Sequence, residues 1–450
     1  MRVDILDNTI ICEEDDLQKS LNYIDENREL PIEIEKAILY VILEELGLEY
    51  DDSLSFEDNL NALPKDFLKE IIWDINTMFK INDIIDYRHY YLPYVMYYLP
   101  VNVFKIWKPL LDLHINSILK KDARILDVGT GPGSVPLGII EFYKKLAIIY
   151  KEVEFSLEFV LIDAQENFLR IASKIIQSIK RYLPTNLKVN INHIICTQVR
   201  AGEKYNLGKF DYITMSNFFA IVEGNNSKCS YEIVSQFADN LEEDGSFIII
   251  EPGDKENCIN LKRLRNELVN NGIFNVYSPC VGIWEKKESY QCDCFNTVKL
   301  RWELPNIFTY LKRNGLTHSL RKDVPFNYVV LRKDGKIKYD PITNIQHFTK
   351  LSQLSERVGD VINIIAFIRS AIYNNNYIRL ALCDGSSHYH GNYEGVWIDI
   401  PTDRFKEIGK DIKLIAGERI KILKVLITKG NRHNTFYLKL TEESKIRIDY

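Results

Sequence analysis

The sequence predicts an α/β fold: a doubly wound, seven-stranded sheet, preceded by a helical region and followed by a five-stranded β-barrel. Three observations predict it. Between residues 123 and about 334, short apolar runs alternate with amphipathic stretches of helical period. A glycine turn joins the first of those runs to the helix that follows it. Beyond residue 355, five runs of strand character succeed one another with a single short helix-like stretch among them. At 450 residues the chain is long for one hydrophobic core and suits two or three domains.

Residues 1–120 read as a helical cap. The stretches IEIEKAILYVILEELGL and DFLKEIIWDINTMFK place apolar residues three and four apart, and Pro31 and Pro64 stand at their starts, where a missing N–H costs nothing. The aromatic segment 87–107 then reads as packing between this cap and the next domain. Residues 121–335 supply the strands RILDV, FVLID, NINHIIC, FDYITM, SFIIIE, Phe274 to Ser278 and FNYVVL. Stretches such as NFLRIASKIIQSIKRYL and INLKRLRNELVNN supply helices between them. Residues 351–450 hold VGDVINIIAFIRS, NYIRLALCDG, GVWIDI, ERIKILKVLIT and TFYLKL, with the helix-like TDRFKEIG between the third and fourth. That order is expected of a Greek-key barrel of the OB type.

Composition narrows the function classes. No apolar run reaches the roughly 20 residues of a membrane helix, and the acidic N-terminus, MRVDILDNTIICEEDD, resembles no signal or transit peptide, so a cytoplasmic protein without a membrane partner is expected. The net charge of −6 conceals an asymmetry. Residues 1–120 carry 24 acidic against 11 basic side chains, residues 295–350 carry 11 basic against 4 acidic, and residues 351–450 carry 15 basic against 12 acidic. A polyanionic partner would therefore meet the C-terminal third. On the barrel, Phe367, Arg369, Tyr377, Arg379 and Trp397 are candidates for single-stranded nucleic acid.

The chemistry-bearing motif is RILDVGTGPG, residues 124–133. Its glycines fall as G-x-G-x-G at Gly129, Gly131 and Gly133, not as the G-x-G-x-x-G of dinucleotide sites, with Asp127 two residues before the first. Here the chain resembles the class I S-adenosylmethionine-dependent methyltransferases, whose first motif is an acidic residue followed by those glycines. The resemblance implies that Asp127, Gly129, Thr130, Gly131 and Gly133 hold the amino-acid end of the cofactor. Asp163, with Ala164 beside it, ends the second strand where paired acceptors would take the ribose hydroxyls. Gln198 after the third strand and Ser216 and Asn217 after the fourth complete the implied site. Ser216 to Phe219 lacks the two prolines of amino-group methyltransferases, so the acceptor atom is not specified and no catalytic base is assigned.

A closer likeness rests on Glu251-Pro252-Gly253, Arg263, Arg265, Pro279-Cys280 and Cys294-Phe295. Over residues 87–335 the chain is similar to the methyltransferase-like family associated with mitochondrial small-ribosomal-subunit assembly and its prokaryotic relatives. That resemblance implies a cysteine-bearing insertion (279–295) and a 4Fe-4S cluster. Cys280, Cys292 and Cys294 would be ligands, with Cys383 from the barrel or Cys258 as the fourth. Zinc and unliganded thiols are the alternatives for these cysteines. The expectation is a methyltransferase-like protein that binds S-adenosyl-L-methionine and acts on, or is bound to, ribosomal RNA or the small ribosomal subunit. The alternatives are a non-catalytic ribosome assembly factor that retains the cofactor and a small-molecule methyltransferase.

Overall fold

The structure, a computed structural model, describes residues 8–10, 12, 29–78, 90–219, 227–284, 297–316, 323–339, 342, 344–386, 395–404 and 416–449. Contacts divide the chain into two compact units: residues 1–224, 239–250 and 300–324 form the first, and residues 225–238, 251–299 and 325–450 the second.

In the first unit, α1 (Ile32–Glu45), α2 (Phe56–Asn61) and α3 (Lys65–Met78) precede α4 (Tyr91–Asn102) and α5 (Trp107–Ile115). Both long cap helices begin immediately after the expected prolines, Pro31 and Pro64. Glu35 of α1 is buried and accepts from Asn306 Nδ2 at 3.0 Å and from the backbone N–H of Ile307 at 2.8 Å. It thereby satisfies the open N-terminus of α10 (Asn306–Arg313), a helix 271 residues away in sequence.

The core of this unit is parallel: β1 (Asp122–Val128) lies between β2 (Phe155–Asp163) and β4 (Phe210–Ser216), with β3 (Leu187–Cys196) beside β2 and β5 (Leu241–Pro252) beside β4. The helices α6 (Ser134–Ile149) and α7 (Glu166–Ile179) follow β1 and β2. The full strand order is β3-β2-β1-β4-β5-β8-β6, where β6 is Asn275–Ser278 and β8 is Asp323–Arg332. The expected seven strands are all present, but the sheet has an eighth, β7 (Val298–Arg301), which pairs with β8. Its four residues, VKLR, are too short a run to stand out against the flanking insertion. Chain direction makes β1 the reversal point: the connection from β1 leads to β2 on one side, while β4 lies on the other. The crevice at such a switch, outside the C-terminal ends of the strands, is where open α/β sheets bind ligands.

One glycine fixes how the helical region meets this sheet. A Cβ on Gly138 of α6 would come within 2.1 Å of the carbonyl oxygen of Val103, and Trp107 Nε1 donates to the Gly138 carbonyl at 2.9 Å. The 3-10 turn Val103–Ile106 therefore rests against bare helix backbone.

The second unit contains α8 (Ser227–Gln236), α9 (Lys255–Asn270), β6 antiparallel to β8, and a closed barrel. The barrel strands are β9 (Val361–Tyr373), β10 (Tyr377–Cys383), β11 (Gly395–Pro401), β12 (Arg419–Lys429) and β13 (Thr435–Asp449), in the ring order β10-β11-β13-β12-β9. All five coincide with the strand-like runs of the sequence, but β13 continues nine residues beyond TFYLKL. β11 and β13 run parallel and the other pairs antiparallel, as a Greek-key path requires. Alternate residues such as Ile364, Leu380, Ile398, Ile422 and Leu438 fill the interior, and Leu351 and Leu354 of a 3-10 turn add to it. Of the helix-like TDRFKEIG, residues 402–404 are helical and the remainder lies outside the described residues.

Replacing Gly138 by alanine forces apart two backbones that touch. We expect Gly138→Ala to destabilise the chain by about 1–3 kcal/mol, as overpacking of a filled interior does. A lowered urea midpoint checks this, and an unchanged midpoint contradicts it.

Candidate cofactor-binding site

The glycine turn is held on three sides. The backbone N–H groups of Gly129 and Thr130 both donate to the carbonyl of Ile162, at 2.8 and 3.0 Å, pinning the turn to the end of β2. Thr130 Oγ1 donates to the Asp127 carbonyl at 3.0 Å. Gly129 and Gly131 have φ of +74° and +54°, a region that disfavours side chains. Their surroundings differ. A Cβ on Gly129 would lie 2.5 Å from the ring of Phe218, whereas one on Gly131 would meet nothing within 4 Å. Gly131 thus leaves bare backbone beside open space close to the start of α6, whose N-cap is Gly133.

Asp127 is 1% exposed. Its Oδ1 accepts from Thr214 Oγ1 at 2.6 Å, across the β1–β4 ladder where the two residues are in register. Its Oδ2 has no hydrogen-bond partner, and neither does the buried Ser216 Oγ at the end of β4, among the described residues. A buried polar atom without a partner carries a desolvation cost, and two such atoms fall near one strand-end crevice. Burial pushes the Asp127 pKa from 3.8 up to about 7, opposed by its hydrogen bonds and reinforced slightly by Asp163.

Asp163 closes the turn from β2. Its Oδ2 accepts from the Gly131 N–H and its Oδ1 from the Gln165 N–H, each at 2.8 Å, and burial raises its pKa. Each carboxylate oxygen keeps a lone pair for a further donor. The sequence places Asp163 at a strand end; that it also orders the glycine turn is visible in the fold alone. Ala164 beside it is exposed. After β3, Thr197 donates its N–H to the Asp163 carbonyl at 2.9 Å, and Gln198 is exposed one residue further on.

Asn217 has φ of +51° and donates its N–H to the Ile250 carbonyl at 2.8 Å. Its Oδ1 accepts from Lys105 Nζ at 3.3 Å. Lys105 belongs to the 3-10 turn seated on Gly138 and is buried. Sequence reasoning missed it, though a lysine within an otherwise apolar aromatic segment was a signal. Phe218 lies on the glycine turn and meets Phe219 edge-on, with ring centroids 5.2 Å apart.

The second unit carries the other expected residues. Cys292, Cys294 and Phe295 lie outside the described residues. Cys280 follows β6 and Cys383 ends β10. Trp284 Nε1 donates to Asp384 Oδ2 at 2.8 Å, tying the segment that carries Cys280 to the turn after Cys383. Among the described residues, no group of three or more His, Cys, Asp or Glu side chains forms a metal site. In the E-P-G sequence, Gly253 is a packing glycine: a Cβ there would lie 2.6 Å from the backbone of Pro325. Of the proposed barrel contacts, Phe367 and Arg369 are buried, whereas Tyr377, Arg379 and Trp397 are part-exposed. No helix among the described residues is long and apolar enough to cross a membrane.

No family model matches the chain, and no curated protein matches it. Among solved structures, an S-adenosylmethionine-dependent methyltransferase from Methanosarcina mazei aligns over 50% of this chain and 96% of its own, with 14% identity and a TM-score of 0.26. The plantazolicin methyltransferase BamL, in complex with a triazolic desmethylPZN analogue and SAH, aligns over 60% of this chain and 99% of its own, with 13% identity and a TM-score of 0.32. The p204 HINb domain aligns over 24% of this chain, which spans about half (52%) of that domain's chain, with 13% identity and a TM-score of 0.19.

The folded state holds a proton on Asp127 that the unfolded chain releases. The resulting stability is fully present below about pH 4, is lost as pH rises, and is gone once pH passes the folded value of about 7. In Asp127→Asn this loss disappears. Urea midpoints measured from pH 4 to 8 should therefore show the variant gaining on the wild type as pH rises; parallel curves would contradict the assignment.

Proposed function

We propose that this chain binds S-adenosyl-L-methionine at the β1–β4 crevice and is a methyltransferase-like protein that acts on, or is bound to, ribosomal RNA or the small ribosomal subunit. The observation that carries the cofactor reading is the pair of buried, unpartnered oxygens, Asp127 Oδ2 and Ser216 Oγ, beside the open backbone of Gly131. The donor set suits the group. The Asp127 carboxylate would take the ammonium, the Asp163 oxygens would accept from the ribose hydroxyls, and the N-terminal turn of α6 would face the carboxylate. When bound, the cofactor would supply an electrophilic sulfonium methyl, which an acceptor lone pair would take as the C–S bond breaks and its electrons pass to sulfur, the leaving group being the neutral thioether. The chain's contribution is to orient the acceptor and exclude water, and Asn217, held by Lys105, stands at the strand end suited to that task.

The RNA partner is supported by the excess of basic residues from 295 onward and by the ribosome-associated resemblance of residues 87–335. The 4Fe-4S cluster is supported by the Trp284–Asp384 bond, which ties the Cys280 segment to the Cys383 turn. Cys280, Cys292, Cys294 and Cys383 would hold it, soft thiolates being the donors such clusters require.

Two measurements test this. Calorimetry should detect cofactor binding that strengthens about tenfold per pH unit as Asp127 loses its proton and levels off above about pH 7. Asp127→Asn should weaken it about tenfold or more, and no binding by the wild type would overturn the reading. Labelled methyl transfer to purified small-subunit RNA then separates an enzyme from a cofactor-retaining assembly factor. For the metal centre, anaerobic expression should yield a brown protein with about four iron and four sulfide per chain; a colourless, metal-free, folded protein would contradict it.

A further inference from the structure

The barrel's outer surface is uneven, and the register says how. On β10, β11 and β13, Ala381 is opposite Trp397 and Trp397 is opposite Tyr437, so the indole and the phenol are neighbours on one outward row. Both are part-exposed. From Tyr437 the outward positions of β13 continue through Lys439, Lys445 and Arg447, all exposed. Opposite them on β12 lie Thr428, Leu426, Leu423 and Lys421, a span of about 20 Å at the rise of a β-strand. Two of the nearby carboxylates are engaged, while Glu442, between Lys439 and Lys445 on β13, is exposed. Asp399 holds Arg379 through two bonds of 2.7 Å, and Glu443 is paired with Lys424. The track is therefore an aromatic pair at one end and three exposed cations beyond it, with Glu442 and Glu443 between Lys439 and Lys445.

We propose that this row binds single-stranded RNA, with bases stacking on Trp397 and Tyr437 and the phosphates following Lys439, Lys445 and Arg447. It rests on the RNA-directed reading above and replaces the buried Phe367 and Arg369 with a part-exposed aromatic pair and exposed cations. A duplex keeps its base faces stacked internally and cannot use the aromatic pair, while a protein partner would need acidic side chains spaced along the whole cationic run. A flexible polyanion with exposed base faces suits both halves of the row.

The test uses the full chain and a fluorescein-labelled 12-nucleotide RNA of mixed sequence, followed by anisotropy between 50 and 200 mM salt. The triple variant Lys439→Glu, Lys445→Glu, Arg447→Glu should lose at least tenfold in affinity and show a shallower salt dependence, since each phosphate contact on a single strand contributes roughly 0.7 to the slope. Trp397→Leu should lose roughly five- to a hundredfold with the slope unchanged. The three charge reversals are at exposed positions, so they keep the test valid even where the tryptophan change disturbs the barrel. Wild-type affinity in the triple variant overturns the proposal, as does equal competition by a 12-base-pair duplex RNA. A wild-type chain that binds no RNA at all sinks this surface and the RNA reading together while leaving cofactor binding intact. A chain that binds RNA but ignores all four substitutions sinks the surface alone.

Discussion

A buried carboxylate with one oxygen unpaired is the constraint around which the first unit is built. Asp127 lies at the point where strand order reverses, and Thr214 from β4 satisfies one of its oxygens. Filling this position with an apolar residue would remove the desolvation cost at once. The sheet instead carries an acid whose pKa is pushed to about 7, which is tolerable when a bound cation repays it. On the proposed cofactor reading, the stability lost there is the counterpart of an interaction reserved for that ligand.

Everything around that acid restricts the turn that follows it. Ile162 accepts two of the turn's N–H groups, Asp163 accepts a third, and the Phe218 ring occupies the space a side chain at Gly129 would need. The turn is thus clamped by β2 and by the residues after β4, and Gly131 is left as its open point. The helical region enters the same structure through Gly138. Because the Val103–Ile106 turn can rest on bare helix backbone, Lys105 reaches Asn217 and holds a residue in the left-handed region at the end of β4. Such backbone conformations persist where neighbours fix them, and they concentrate at functional sites.

Much of this was legible in the sequence, for physical reasons. Strands buried on both faces read as continuous apolar runs, so the C-terminal ends of β1, β2, β4 and β5 agree within a residue, though β2 and β5 begin four and five residues before their expected runs, and Asp127 and Asp163 fall near strand termini as expected. The glycine spacing identified the turn because positive φ leaves few residue choices. Features that depend on long-range contact were not legible. Glu35 capping α10, Lys105 holding Asn217 and the second task of Asp163 join residues whose sequence neighbourhoods contain no trace of one another. Phe367 and Arg369 illustrate the converse: alternation places them on the outside of β9, but it does not say that the outside is covered there.

What covers them decides which side of the barrel remains for a ligand. Tyr339, from the segment before the barrel, donates its hydroxyl to the Gly417 carbonyl at 2.7 Å and places its ring 5.6 Å from that of Phe367. Arg419 stacks over the Tyr339 ring, and beside it Lys338 and Glu418 form an ion pair at 2.8 Å that is almost wholly buried. A buried pair is tolerable when its remaining polar valences are met, and the Tyr339 hydroxyl, 3.2 Å from Glu418 Oε2, helps to meet them. This packing closes the β9 side of the barrel and the start of β12. On β11 and β13, Trp397 and Tyr437 stay part-exposed and Lys439, Lys445 and Arg447 exposed, whereas Ala381 of β10 and Thr435 of β13 are buried. The segment 338–339 therefore does more than join the barrel to what precedes it: it buries the outer face around Phe367 and Arg419.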